Sequence, residues 1–210
     1  LSPYEAPEPT IGRLAIYLRC LRQAAKEGLQ TISSADIEQR TGITSGQVRK
    51  DLSYFGEFGK PGLGYAVGPL LARLSKIMRL DREQKVIIVG GGNLGSALAG
   101  YLGFGESGFR IAAIFDKDEK KIGKKLWQHE IKDTAQLASF NSGAGVEIGV
   151  IATPASTAQE VCELLANAGV KAILNFAPVR LKPPAGVVVR NVDLTQELEV
   201  LSYFLPREAG

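Results

Sequence analysis

The chain has 210 residues, with 25 Lys and Arg against 22 Asp and Glu and a formal net charge of +3; this length holds two domains and excludes a large multidomain enzyme. Hydrophobic residues make up 45% and charged residues 22%, which excludes global disorder and a disulfide scaffold. Residues 1–80 carry 11 Lys and Arg against 7 Asp and Glu, and residues 81–210 carry 14 against 15, so the positive excess lies wholly in the first segment, as in a small DNA-contacting module joined to a neutral domain.

Cys20 and Cys162 stand in neither a CxxC nor a zinc spacing and read as reduced, buried thiols, with no metal set among the other residues. No apolar run approaches a membrane span and no signal-peptide pattern opens the sequence. The expectation is a cytoplasmic protein.

Ile11, Leu14, Ala15, Leu18, Leu21 and Ala25 recur at helical spacing, with Gly28 as the stop. Ser33 to Asp36 forms a capping box that opens a short helix ending near Arg40. Thr41-Gly42-Ile43 then turns the chain, and Thr44 to Gln47 forms a second box opening a helix to about Phe55. The pair predicts a helix-turn-helix. Val48, Leu52 and Phe55 form its core stripe, which leaves Ser45, Gly46, Gln47, Arg49, Lys50, Ser53 and Tyr54 on the other side. Cations, hydroxyls, an amide and a glycine that permits close approach are groups that meet DNA phosphates and base edges. The glycine-dense run from Gly56 to Tyr65 reads either as the hairpin of a winged helix, with Lys60 near its tip, or as a plain linker. A helix from Val67 to Leu80 follows.

In the second segment the β-branched run Lys85 to Val89 leads into Gly90-Gly91-Gly92-Asn93-Leu94-Gly95 and a helix from Ser96 to Leu102. Gly90, Gly92 and Gly95 fit GxGxxG between strand and helix. The first glycine makes the tight turn, the second admits a pyrophosphate and the third lets helix and strand pack closely. A second strand, Ile111 to Phe115, ends in Asp116, 21 positions beyond Gly95 and close to the roughly 20 expected of a carboxylate that bonds the adenosine ribose. Asp116 repels a 2′-phosphate and so favours NAD(H) over NADP(H), against which Lys117 stands.

Strands at Val146 to Ile151, Lys171 to Phe176 and Val187 to Val189, with a helix from Ala158 to Gly169, continue the alternation and predict a doubly wound parallel sheet. Thr153 and Pro154, with Asn175 and Phe176, stand at strand ends as candidates for the nicotinamide half of the cofactor site. Asp193 caps a last helix with a broad apolar face, which either covers its own sheet or packs on another subunit.

A dehydrogenase needs a proton-transferring group and a substrate cleft. The single histidine, His129, lies in what reads as an exposed turn, and Tyr101 on the helix after the glycine loop reads as packing. No catalytic residue is assigned. The alternative is a small NAD-dependent oxidoreductase whose N-terminal helices cap a substrate, and a third reading is a nucleotide-sensing subunit with a protein partner.

The run Gln47-Val48-Arg49-Lys50-Asp51-Leu52-Ser53-Tyr54-Phe55-Gly56 with Gly62-Leu63-Gly64-Tyr65 resembles the hallmark of the redox-sensing transcriptional repressor Rex family. Gly103-Phe104-Gly105, Ile173 to Pro178 and Asn191 to Leu194 match further along. The resemblance implies an α/β protein: a winged helix-turn-helix domain over 1–80, a Rossmann NAD(H)-binding domain over 81–192 and a swapped C-terminal dimerisation helix over 193–210. It implies a homodimer on two-fold-symmetric operator DNA that represses when NADH is scarce and is released when NADH binds. Arg49 and Lys50 would be operator contacts. Gly90 to Gly95 and Asp116 would hold the dinucleotide, with Tyr101 and Asp193 near the nicotinamide and Arg19 able to pair with that aspartate across the domain boundary. Asn93 stands where some members have Arg, and Leu194 where some carry Phe over the nicotinamide.

Overall fold

The computed structural model describes residues 6–60 and 63–205. The expected wing tip at Pro61 and Gly62, the Lys60 side chain and the tail 206–210 of the expected C-terminal element lie outside what is described. The chain forms two compact units, residues 1–82 and 83–210.

The first unit runs α1 (Glu8–Lys26), β1 (Thr31–Ile32), α2 (Ser34–Thr41), α3 (Ser45–Ser53), β2 (Gly59–Lys60), β3 (Gly64–Ala66) and α4 (Val67–Ile77). β3 pairs antiparallel with both β1 and β2. The glycine-rich run is therefore a hairpin, and helices plus a small sheet with a wing make a winged helix. Gly64 turns at φ +73, and a Cβ there would meet the Ile32 carbonyl oxygen at 2.6 Å, so only glycine lets the wing close on β1. Leu14, Leu21, Ile37, Val48 and Leu74 form the core. Ser33 and Asp36 make the reciprocal cap of α2, and Gly42 ends it in the left-handed region. Two expectations are corrected. α3 ends at Ser53, so Phe55 packs on the core from the following turn. The second capping box is half formed: Thr44 accepts the Gln47 N–H, but the Gln47 side chain bonds Asp51 instead.

The second unit runs β4 (Gln84–Val89), α5 (Asn93–Ala99), α6 (Gly103–Glu106), β5 (Phe109–Asp116), β6 (Lys125–Leu126), β7 (His129–Asp133), a 3₁₀ turn (Thr134–Gln136), α7 (Leu137–Ala144), β8 (Ile148–Ile151), α8 (Ala155–Asn167), β9 (Ala172–Asn175), β10 (Val188–Asn191) and α9 (Leu194–Tyr203). The sheet order is β10-β9-β8-β4-β5-β7-β6, parallel throughout except that β6 runs antiparallel to β7. This is the doubly wound order of a dinucleotide-binding fold, with the reversal between β4 and β8. Ile87 and Val89 face one core layer and Val86 and Ile88 the other, which explains a strand apolar at every position.

α5 starts at Asn93 and stops at Ala99, earlier at both ends than its apolar pattern suggests. Its cap, Gly100, has the Trp127 ring where a Cβ would lie. α8 likewise starts three residues early, at Ala155. His129 is not in a turn: the turn is at Trp127, φ +56, and His129 opens β7. α9 does not cover its own sheet, since Leu194, Leu198, Leu201, Tyr203 and Phe204 are all exposed.

Candidate functional site

Three neighbouring strands, β5, β4 and β8, end level with one another. Gly90 N–H donates to the Phe115 carbonyl and Ala152 N–H to the Val89 carbonyl, both at 2.8 Å. Past these ends lies a cleft of about 520 Å³ at the point where the strand order reverses, lined by Gly90, Gly92, Asp116, Lys121, Thr153 and Pro154 among others. Clefts at this topological position are where open α/β sheets take ligands.

The glycines of the turn have three separate reasons. Gly90 sits at φ +112, and a Cβ on it would meet the Ala152 carbonyl oxygen at 2.5 Å. A Cβ on Gly95 would collide with the Gly90 carbonyl oxygen, so the third glycine lets α5 lie against the turn. Gly92 has open space around its Cβ position; packing does not require it, and its bareness leaves backbone accessible from the cleft.

Asp116 is buried at the end of β5. Its Oδ2 accepts from the Gly91 N–H at 2.8 Å and the Lys121 ammonium at 2.9 Å, and its Oδ1 from the Asp118 N–H at 2.9 Å. Burial pushes this carboxyl up, but the Asp118 N–H, Lys121 and the Gly91 N–H together hold it below the usual carboxylate range. The site thus holds an ionised carboxylate that pins the glycine turn. Across the cleft the Thr153 Oγ1 is buried with no partner among the described residues, a polar atom left for something outside the chain. An accessible turn, a fixed carboxylate and an orphaned hydroxyl are groups that can hold a dinucleotide. Lys117 stands at the rim, 3.9 Å from Glu160.

Other expected residues are placed elsewhere. Asn93 and Leu94 open α5, Asn93 exposed. Asn175 is fully buried and its amide is spent on the Ala177 and Val179 carbonyls and on Asn191, so it shapes the loop after β9. Phe176 packs against the core layer of Ile88 and Val150. Asp193 caps α9, accepting from the Thr195 and Gln196 N–H groups. Tyr101 is exposed, meets Phe104 edge to face at 5.3 Å, and lines a separate groove with Trp127 and His129. His129 is half-buried there, and burial lowers its basicity. Lys121, Thr134, Thr157 and Glu160 also line the cleft; sequence reasoning missed them because a lysine-rich run and polar helix starts read as solvated. Among the described residues no cluster of His, Cys, Asp or Glu is placed to hold a metal.

In the first unit, Gly46, Arg49, Lys50 and Ser53 are exposed on α3 and Tyr54 is exposed at its C-terminal cap, while Ser45 and Gln47 are half-buried. Arg49 Nη1 donates to Ser34 Oγ at 2.9 Å, which lays the guanidinium along a groove between the start of α2, α3 and the wing. Beneath lies a buried charge that the sequence did not disclose. Asp51 is 0% exposed and accepts from Arg13 Nε and Nη2 at 2.6 and 2.8 Å, Tyr17 at 2.8 Å, Gln47 at 2.8 Å and Thr10 at 3.1 Å. Burial alone would raise this carboxyl, but the donors outweigh it and hold it at about 2. The network ties α1 to α3 and fixes the angle at which α3 presents Arg49 and Lys50. Arg19 is exposed on α1.

Two family models match the chain, one in each segment. Residues 5–53 match a family described as a DNA-binding protein N-terminus, and residues 81–179 match the CoA binding domain family. The redox-sensing transcriptional repressor Rex of Carboxydothermus hydrogenoformans is 50% identical over 208 residues, covering 99% of this chain and 100% of that protein. The crystal structure of RSP in complex with β-NAD+ and operator DNA is 38% identical with a TM-score of 0.88, covering 94% of this chain and 91% of that one. RSP in complex with β-NADH is 37% identical with a TM-score of 0.83, covering 95% and 93%.

Proposed function

The chain belongs to the Rex family of redox-sensing transcriptional repressors, and from that premise we propose that it is a DNA-binding repressor that senses the NADH/NAD+ ratio through the second unit and reads operator DNA through the first. The observation that carries this reading is the meeting of the bare glycine turn and the ionised Asp116 in one cleft, in a chain whose other unit is a winged helix with Arg49 and Lys50 exposed on α3.

In this reading Lys50, Arg49 and Ser53 contact phosphates and base edges in the major groove, and the wing lies on the adjacent backbone. The Gly90 to Gly95 turn takes the pyrophosphate, Asp116 the adenosine ribose, and Thr153 and Pro154 border the nicotinamide half. NAD+ carries a cationic ring and NADH a neutral one. Walls such as Val89, Ala152 and Pro154 solvate a cation poorly, so the cleft disfavours the oxidised form. That difference in affinity is what turns binding into a switch. The protein is a cytoplasmic homodimer, the exposed apolar face of α9 packing on the second copy, and the operator is two-fold symmetric to match. NADH acts as signal and not as a reductant, as the description of the relatives as repressors supports.

The test is operator binding with NADH and NAD+ titrated separately. Release as NADH is added and retention under NAD+ are expected. A chain that shows no sequence-specific DNA binding, or that oxidises NADH with a small-molecule substrate, would be the oxidoreductase instead.

A further inference from the structure

The adenosine end of the cleft carries more charge than a single aspartate. Of the roughly four lone-pair sites on the Asp116 carboxylate, three are used inside the chain, and Lys121 shares Oδ2 with the Gly91 N–H. The Lys121 ammonium lies 2.9 Å from Asp116 and 4.0 Å from Asp118, so one cation serves two carboxylates. Lys121 lines the cleft, and its side chain is 38% exposed; it is within reach of a ligand and is not buried packing. Lys117, on the same wall, is held only loosely by Glu160 at 3.9 Å, both side chains being mostly exposed.

We propose that Lys121 is a specificity-determining residue of the dinucleotide cleft. By pairing with Asp116 it reduces the negative charge with which this end excludes a 2′-phosphate, so the chain separates NADH from NADPH less sharply than Asp116 alone would. The inference rests on the dinucleotide reading above. With Lys121 removed, Asp116 and Asp118 face the ribose uncompensated, and a 2′-phosphate meets two carboxylates. With the Asp116 charge removed, Lys121 is released and becomes a phosphate ligand beside Lys117. A 2′-hydroxyl is neutral and responds to neither charge in this way.

The experiment titrates NADH and NADPH by fluorescence against the unsubstituted chain and its Lys121→Met, Lys121→Arg, Asp116→Asn and Asp116→Asn/Lys121→Met variants, each checked for an unchanged melting curve. Lys121→Met is expected to raise the ratio Kd(NADPH)/Kd(NADH) about tenfold, the effect of one partly screened charge, and Lys121→Arg to keep the ratio of the unsubstituted chain. Asp116→Asn lowers the ratio and makes NADPH binding steeply salt-dependent, and the added Lys121→Met change removes that dependence. If Lys121→Met weakens both dinucleotides equally, the lysine merely supports the glycine turn and the proposal is overturned. If the unsubstituted chain binds neither dinucleotide, the cofactor reading itself fails and takes the proposal with it.

Discussion

Arg13→Met breaks the pair between Arg13 and the buried Asp51 in the first unit. It removes the 2.6 and 2.8 Å hydrogen bonds to Asp51 and leaves a carboxylate of zero exposure with Tyr17, Gln47 and Thr10 as its donors. Losing one partner of a buried pair costs about 3–5 kcal/mol; the three remaining donors and the 26% exposure of the Arg13 side chain bring the expected loss to about 2–3 kcal/mol. For a unit of this size an m-value near 1 kcal/mol/M turns that into a urea midpoint lower by about 2–3 M. Trp127, the single tryptophan, lies in the second unit, so its fluorescence is an internal control. Ellipticity should fall at lower urea in the variant while the Trp127 transition stays in place. The acid limb gives a second reading. A carboxyl held at about 2, against an ordinary 3.8, contributes about 2 kcal/mol that is fully present above pH 4 and is lost as pH falls through 2. Without Arg13 that pKa rises, and the first unit unfolds at a higher pH. An unmoved urea midpoint with an unmoved acid transition would refute the claim that this pair holds α1 to α3.

Asp116→Ala removes the ribose acceptor and the anchor of Gly91 together, so NADH affinity should fall about 10- to 100-fold while operator binding without NADH is kept; unchanged calorimetric titrations would contradict the site. Lys50→Ala should weaken DNA binding across operator and random sequence alike and lower the slope of log K against log salt by about 1, with NADH titrations unaltered. Gly95→Ala places a methyl against the Gly90 carbonyl, and is expected to destabilise the second unit by about 1–3 kcal/mol and to abolish NADH binding, both seen by thermal melting with and without ligand.

What the sequence disclosed followed from local rules. Ser33 with Asp36, Gly42, and the glycine turn before α5 are each fixed by a few adjacent residues with one physical solution, so they are legible in one dimension. Asp116 was legible because an apolar strand, Ile111 to Phe115, delivers it to a known distance from the turn. β7 was not, because His129–Asp133 has one buried apolar residue, Ile131, and is a strand only through its pairing with β5 and β6. Asp51 reads as one more charge on a polar helix, and its burial depends on Arg13, Tyr17 and Thr10, 34 to 41 residues earlier. The pairing of Lys121 with Asp116 needs the turn after β5 to fold back, which spacing alone does not state. Asn175 shows the opposite limit: an asparagine at a strand end reads as a candidate ligand contact, and spacing does not state that its amide bonds the Ala177 and Val179 carbonyls and Asn191.

The central claim is that cofactor and operator compete through one protein. Linkage requires the factor by which NADH weakens operator binding to equal the factor by which operator DNA weakens NADH binding. NADH affinity should therefore be measured by fluorescence titration with and without a saturating operator duplex, beside operator affinity with and without saturating NADH. Equal factors, absent for NAD+ and for a duplex of random sequence, are the predicted result; an NADH affinity that operator DNA leaves unchanged would contradict the account.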